Sequence, residues 1–179
     1  MKIPLRLLNL ALRLIEKRHL RRAKDPVDLR PRFERQARLL FKTPPFVLKS
    51  KTLIAGRPAL WVAARAANRR KVILYFHGGA YVFGSPATHA AMVARLSEMT
   101  GLSALLPDYR MAPEDPFPAA VEDALAIYKA LLDKGYHAKD IVLGGDSAGG
   151  GLVLALLQQI LAAKLPRPAA VLACPPGRI

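Results

Sequence analysis

A strand, a glycine-flanked serine and an apolar helix follow one another without a break between Asp140 and Leu165. Asp140-Ile141-Val142-Leu143-Gly144 has the β-branched, apolar character of a buried strand, Gly145-Asp146-Ser147-Ala148-Gly149 fits the pattern G-x-S-x-G, and the helix runs from about Gly150 to Leu165. A strand that turns this sharply into a helix needs residues without bulk two positions before and two after the serine, so that the hydroxyl stands exposed. The same turn aims the N–H groups and positive end of the helix at whatever the hydroxyl attacks. A serine hydroxyl is a poor nucleophile until a histidine takes its proton, and a carboxylate usually orients that histidine. The 32 residues from Ala148 to Ile179 contain no Asp, Glu or His.

Two further segments carry chemistry. Val72-Ile73-Leu74-Tyr75-Phe76 reads as a second buried strand and runs directly into His77-Gly78-Gly79-Ala80. A glycine pair there lets backbone N–H groups approach a tetrahedral oxyanion, alongside the N–H of Ala148. The third segment is Asp108-Tyr109-Arg110-Met111-Ala112-Pro113-Glu114-Asp115-Pro116-Phe117-Pro118-Ala119-Ala120-Val121-Glu122-Asp123-Ala124. It resembles the D-Y-R-L-A-P-E-x-P-F-P-A-x-x-E-D signature of the hormone-sensitive-lipase-like esterases of the α/β-hydrolase superfamily. With the other two motifs in the family's order, the resemblance spans roughly residues 45 to 172.

The resemblance implies an α/β-hydrolase fold and hydrolysis of short to medium acyl carboxylic esters through a Ser147 acyl-enzyme. It makes Gly78, Gly79 and Ala148 the oxyanion N–H donors, with Gly145, Asp146 and Gly149 as support of the elbow. His77 then shapes its loop by hydrogen bonding and does not act as the base. Tyr81 and His89 become candidates for the wall of the substrate pocket. No cofactor and no metal is implied, and a small acyl ester is the expected partner. The family's next strand begins at Ala169-Ala170-Val171-Leu172, and the pattern is then lost in Ala173-Cys174-Pro175-Pro176-Gly177-Arg178-Ile179. The expectation is an interrupted or partial gene, lacking the later strands and helices that carry acid and base, and an inactive product. The rival expectation is a non-catalytic fragment associating with anionic lipid through its basic N-terminus.

The four histidines, His19, His77, His89 and His137, all precede the nucleophile. His19 lies in a basic helical stretch, His77 in the oxyanion loop, and His137 beside Gly135-Tyr136 in a surface loop; His89, after Gly84-Ser85-Pro86-Ala87-Thr88, is the best of the four as a substitute base. No Cys/His spacing resembles a zinc site, and no glycine-rich phosphate loop follows a strand. The single Cys174 fits a reducing compartment.

Charge is unevenly placed. Residues 1–71 hold 20 Lys and Arg against 4 Asp and Glu, whereas residues 72–179 hold 8 against 9. Lys2 to Arg22 alternates Leu and Ile with Arg and Lys at helical spacing, which fits an anionic membrane surface, a cover over the pocket, or a solvated basic helix. Nucleic acid is the weaker reading, because no binding motif accompanies the charge. Arg6 and Arg13 break the apolar run and no small-residue cleavage site follows, so neither a signal peptide nor a span is expected and the protein is placed in the cytoplasm. Oligomeric state is open. Pro44-Pro45 divides a basic helical cap, residues 1–45, from a core, residues 46–179; Pro31 to Phe41 reads as a second amphipathic piece of that cap. Strands are expected near 46–54, 59–64, 72–76, 102–107, 140–145 and 169–173, and helices near 88–100, 118–134 and 148–164, hence a mostly parallel sheet with one edge exposed.

Overall fold

The structure is a computed structural model and describes residues 26–175. The stretch from Lys2 to Arg22, with His19, lies outside the described residues, as does the end of the chain from Pro176.

Six strands form one sheet: β1 (Leu48–Ile54), β2 (Arg57–Ala63), β3 (Asn68–Phe76), β4 (Leu102–Pro107), β5 (Ile141–Asp146) and β6 (Ala170–Cys174). Their spatial order is β1-β2-β4-β3-β5-β6; the hairpin β1-β2 and the pair β2-β4 are antiparallel, and β4-β3-β5-β6 are parallel. Helix α1 (Arg30–Leu40) precedes the sheet, α2 (Pro86–Thr100) connects β3 to β4, α3 (Ala119–Asp133) connects β4 to β5, and α4 (Ala148–Ala162) connects β5 to β6.

Period-two alternation decides which residues meet which helix. Val72, Leu74 and Phe76 of β3, with Leu105, Ile141 and Leu143, pack against Ala124, Ile127, Tyr128 and Leu131 of α3 and Leu152, Leu156 and Ile160 of α4. Ile73 and Tyr75, with Val62, Ala104 and Leu106, face Ala90, Val93 and Ala94 of α2. The central strands are apolar on both sides because both faces are covered. One acidic anchor fastens the loops: Asp123, buried in α3, accepts from the Arg110 backbone N–H at 2.9 Å and Nε at 3.0 Å, and Arg57 Nε approaches it to 3.3 Å.

Sequence reading places β3 at 72–76, but the strand starts at Asn68. The polar stretch Asn68–Lys71 continues it because the Asn68 N–H donates to Gly101 O at 2.8 Å and Asn68 sits opposite Leu102, with an irregularity before Val72. Hydropathy carries no sign of that pairing. Helix α2 also starts earlier than expected, at Pro86, since Ser85 caps the N–H groups of Ala87 and Thr88.

Every residue of β6 is exposed, and Val171 and Leu172 of that strand, with Leu154 and Leu161 of α4, present apolar surface to solvent. No helix among the described residues is long and apolar enough to cross a membrane.

Candidate active site

Ser147 joins β5 to α4 with φ 51° and ψ −119°, a region that residues with a β-carbon rarely enter. Such a conformation costs about 1–3 kcal/mol and must be imposed by its surroundings. Three contacts impose it. The Ser147 N–H donates to Cys174 O of β6 at 2.8 Å, and its carbonyl accepts the Gly151 N–H at 3.1 Å. Gly145 lies so close to the backbone of Gly149, and Gly149 to the carbonyl oxygens of Phe76 and His77, that a β-carbon at either position overlaps them. Among the described residues, no hydrogen bond engages the Ser147 hydroxyl.

The loop after β3 is fastened to this elbow by one carboxylate. Asp146 Oδ1 accepts the Tyr75 hydroxyl at 2.9 Å and the Gly78 N–H at 3.1 Å, and His89 Nε2 stands 3.6 Å away. The register explains the reach: Tyr75 lies opposite Gly144, where a β-carbon falls 3.0 Å from the Tyr75 ring, so the absence of a side chain there leaves room for the ring on its way to Asp146. His89 comes from the first turn of α2, which covers the same sheet face. Burial works to raise the Asp146 pKa, but His89, Tyr75 and the Gly78 N–H together hold it below the usual carboxylate value. The Tyr75 phenol is pushed far up, by burial first and then by Asp146.

This network corrects one expectation. Gly78 was expected to offer its N–H to an oxyanion, but that N–H is already donated to Asp146. The N–H groups of Gly79 and Ala80 have no acceptor among the described residues, nor does that of Ala148 at the first turn of α4.

His77 is 1% exposed and stacks on Tyr109 with ring centroids 4.5 Å apart. Its Nδ1 lies 2.9 Å from Gly78 O, its carbonyl accepts the Tyr109 hydroxyl at 2.7 Å, and its buried Nε2 has no hydrogen-bond partner among the described residues. Burial, acting first, lowers its pKa to about 4, so the ring is neutral at pH 7. His89 Nδ1 meets Thr88 Oγ1 at 2.8 Å. His137 lies at the far end of the sheet, beside Lys139. Tyr81 holds the Ala112 N–H with its carbonyl, and its hydroxyl lies over Gly151 in the first turn of α4. Burial raises its pKa.

The structure therefore gathers Ser147, Asp146, Gly78, His77 and His89 around the carboxyl ends of β3 and β5, and adds Tyr75, Tyr109 and Gly144, which sequence reading did not single out. Tyr75 and Gly144 carry a legible signal only once β3 and β5 are known to be neighbours. No group of three or more His, Cys, Asp and Glu among the described residues is arranged to hold a metal ion.

A family model described as alpha/beta hydrolase fold matches residues 73–178. The chain is 44% identical over 118 residues to an acetyl-hydrolase of Streptomyces hygroscopicus, covering 66% of this chain and 39% of that protein. It is 42% identical over 114 residues to the carboxylesterase/phospholipase LipF of Mycobacterium tuberculosis, covering 64% of this chain and 30% of the relative. Among solved structures, an esterase/lipase from an uncultured bacterium aligns with TM-score 0.79 and 44% identity, over 85% of this chain and 51% of that one. An esterase from the bacterial hormone-sensitive lipase family aligns with TM-score 0.84 and 38% identity, over 95% and 57% respectively. The chain thus spans less than half the length of these curated relatives and little more than half of these solved chains.

Proposed function

The chain belongs to the α/β-hydrolase-fold family, among its hormone-sensitive-lipase-like esterases, and from that premise we propose that it hydrolyses carboxylic esters with short to medium acyl groups through an acyl-enzyme on Ser147. The observation that carries the reading is Ser147 held at φ 51° between two glycines, next to a loop fastened to the same elbow through Asp146. Ser147 Oγ attacks the ester carbonyl, and the oxyanion that forms is met by the Ala148 N–H together with those of Gly79 and Ala80. Collapse expels the alcohol, and water then releases the acid. His77 and Tyr109 set the loop's shape, and Tyr81 and His89 stand as pocket walls. The described part of the expected cap, α1, is fastened through Arg30 to Val82 O and Ala112 O beside the loop after β3. The sole cysteine, Cys174, favours a reducing compartment, and we place the reaction in the cytoplasm. The names of the relatives support the ester class.

The proton of the Ser147 hydroxyl needs an acceptor, and no His, Asp or Glu follows Ser147 in these 179 residues. Loss of the histidine of a triad costs about 10⁶ in turnover and leaves about 10³–10⁴ over water from the oxyanion hole and binding. The 179-residue chain therefore hydrolyses p-nitrophenyl butyrate barely above background, with Ser147→Ala changing little. Imidazole added as an external base then raises hydrolysis in the parent chain above the rate of imidazole alone, and in Ser147→Ala only to that rate. Imidazole stimulation that is identical in both chains overturns the assignment of Ser147. Strong turnover without imidazole that Ser147→Ala abolishes places a base in the chain, and His89→Ala is then the first variant to compare.

A further inference from the structure

The ten residues from Leu39, near the end of α1, to Leu48, the first of β1, carry five exposed large apolar side chains: Leu39 at 73%, Phe46 at 79%, and Leu40, Phe41 and Leu48. Cations lie beside Phe41 and Leu39, whereas Leu48 lines a groove on the other face of the sheet. Arg38, Lys42, Lys49 and Lys51 line one surface groove of about 610 Å³ together with Phe41 and Leu60. None of the four cations is paired with a carboxylate among the described residues, and Lys49 donates only to Thr43 Oγ1, at 3.2 Å. Lys49 and Lys51 on the edge strand β1 are also what keeps a sheet edge from pairing with another chain. Arg38 and Lys42 have no such duty, and edge protection does not account for exposed Leu39, Leu40, Phe41 and Phe46.

Charge selects the occupant. A second copy docking symmetrically on this face brings four more cations against the first four, with no acid in the groove to offset them. An anionic surface meets both features at once, since apolar side chains enter the boundary between headgroups and acyl chains while Lys and Arg stay at the phosphates.

We propose that the face formed by residues 38–51 docks on an anionic lipid bilayer, with Leu39, Leu40, Phe41 and Phe46 entering the interface and Arg38, Lys42, Lys49 and Lys51 on the headgroups. The attachment is rigidly connected to the candidate site. At the other end of α1, Arg30 donates to Val82 O at 2.6 Å and Ala112 O at 2.7 Å and pairs with Glu114 at 2.7 Å, all beside the loop that follows β3. The ten helical steps from Arg30 to Leu40, at about 1.5 Å each, hold the lipid-facing end about 15 Å from that anchor. The inference does not depend on ester hydrolysis.

The test is sedimentation of the full 179-residue chain with vesicles of phosphatidylcholine alone or with about one-third phosphatidylglycerol, at low and at about 0.5 M salt. The chain binds the phosphatidylglycerol vesicles at low salt and is released by salt. Two variants, Lys42→Glu/Lys49→Glu and Leu40→Ser/Phe41→Ser, each bind about tenfold more weakly with unchanged circular dichroism, as expected for exposed positions. Equal binding to phosphatidylcholine alone, or unchanged binding by both variants, overturns the proposal; the second result moves the attachment to residues such as Lys2–Arg22. Absence of vesicle binding, with self-association that both variants abolish, overturns it in favour of a second copy.

Discussion

The hydroxyl of Tyr75 and the carboxylate of Asp146 meet at 2.9 Å across the β3-β5 pairing, and through this contact the strand that leads into the His77 loop is joined to the strand that leads into Ser147. The same carboxylate oxygen holds the Gly78 N–H. Tyr75→Phe removes one charge-assisted hydrogen bond and costs about 1 kcal/mol of stability, while Asp146→Ala leaves a phenol and a backbone N–H without their acceptor and costs about 2 kcal/mol. Urea unfolding of both variants measures the difference. Losses below about 0.3 kcal/mol in both show that the carboxylate does not join the two strands.

The conformation of Ser147 is held against its own preference. Glycine enters φ 51°, ψ −119° freely, so Ser147→Gly raises stability by about 1 kcal/mol even after the entropy that glycine adds to the unfolded chain, whereas Ser147→Ala leaves it nearly unchanged. Parallel thermal melts decide it. A lower melting temperature for the glycine variant contradicts strain at the elbow.

Acid acts on His77 before it acts on Asp146. Burial lowers the folded-state pKa of His77 to about 4 from 6.5, so the unfolded chain takes up the proton first; stability is whole above pH 6.5 and declines as pH falls from there toward 4, by on the order of 3 kcal/mol. The Asp146 carboxylate is also depressed, and its contribution persists until pH falls below the ordinary carboxylate value of 3.8. Melts between pH 7.5 and pH 4.5 therefore report His77 and not Asp146. His77→Gln flattens this window, and an equally steep dependence in that variant refutes the assignment.

Exposed Val171 and Leu172 on β6, with Leu154 and Leu161 on α4, form an apolar surface at an unpaired strand. The 179-residue chain binds a hydrophobic dye strongly, dissolves poorly and is cleaved first within its last 30 residues. Leu154→Lys with Leu172→Lys reduces dye binding by half or more. A chain that binds no dye and resists protease contradicts this exposure in solution.

Much of the fold is legible in the sequence because its strands are apolar on both faces and its helices follow them at regular intervals. Ser147, His77 and the Asp108–Ala124 segment declare themselves through local chemistry. What escapes is what depends on neighbours in space. Asn68–Lys71 are polar and become strand only because Gly101 and Leu102 are beside them. The use of the Gly78 N–H by Asp146, and the place of Gly144 under the Tyr75 ring, require the β3-β5 register. Arg30 as the fastening of α1 joins residues more than 80 positions apart, beyond any local pattern.

The bond from the Ser147 N–H to Cys174 O also sets an order of events during synthesis. The hairpin β1-β2 and the pairing of β3 with β4 are available as soon as about residue 107 has left the ribosome, and β5 then finds β3 already in place, but the elbow lacks its second strand neighbour and its Cys174 clamp until β6 follows. At about 5–20 residues per second, Ser147 spends a few seconds before Cys174 emerges without the hydrogen bond from its N–H to Cys174 O. The last of the contacts that hold the elbow is thus made by the last strand the structure describes.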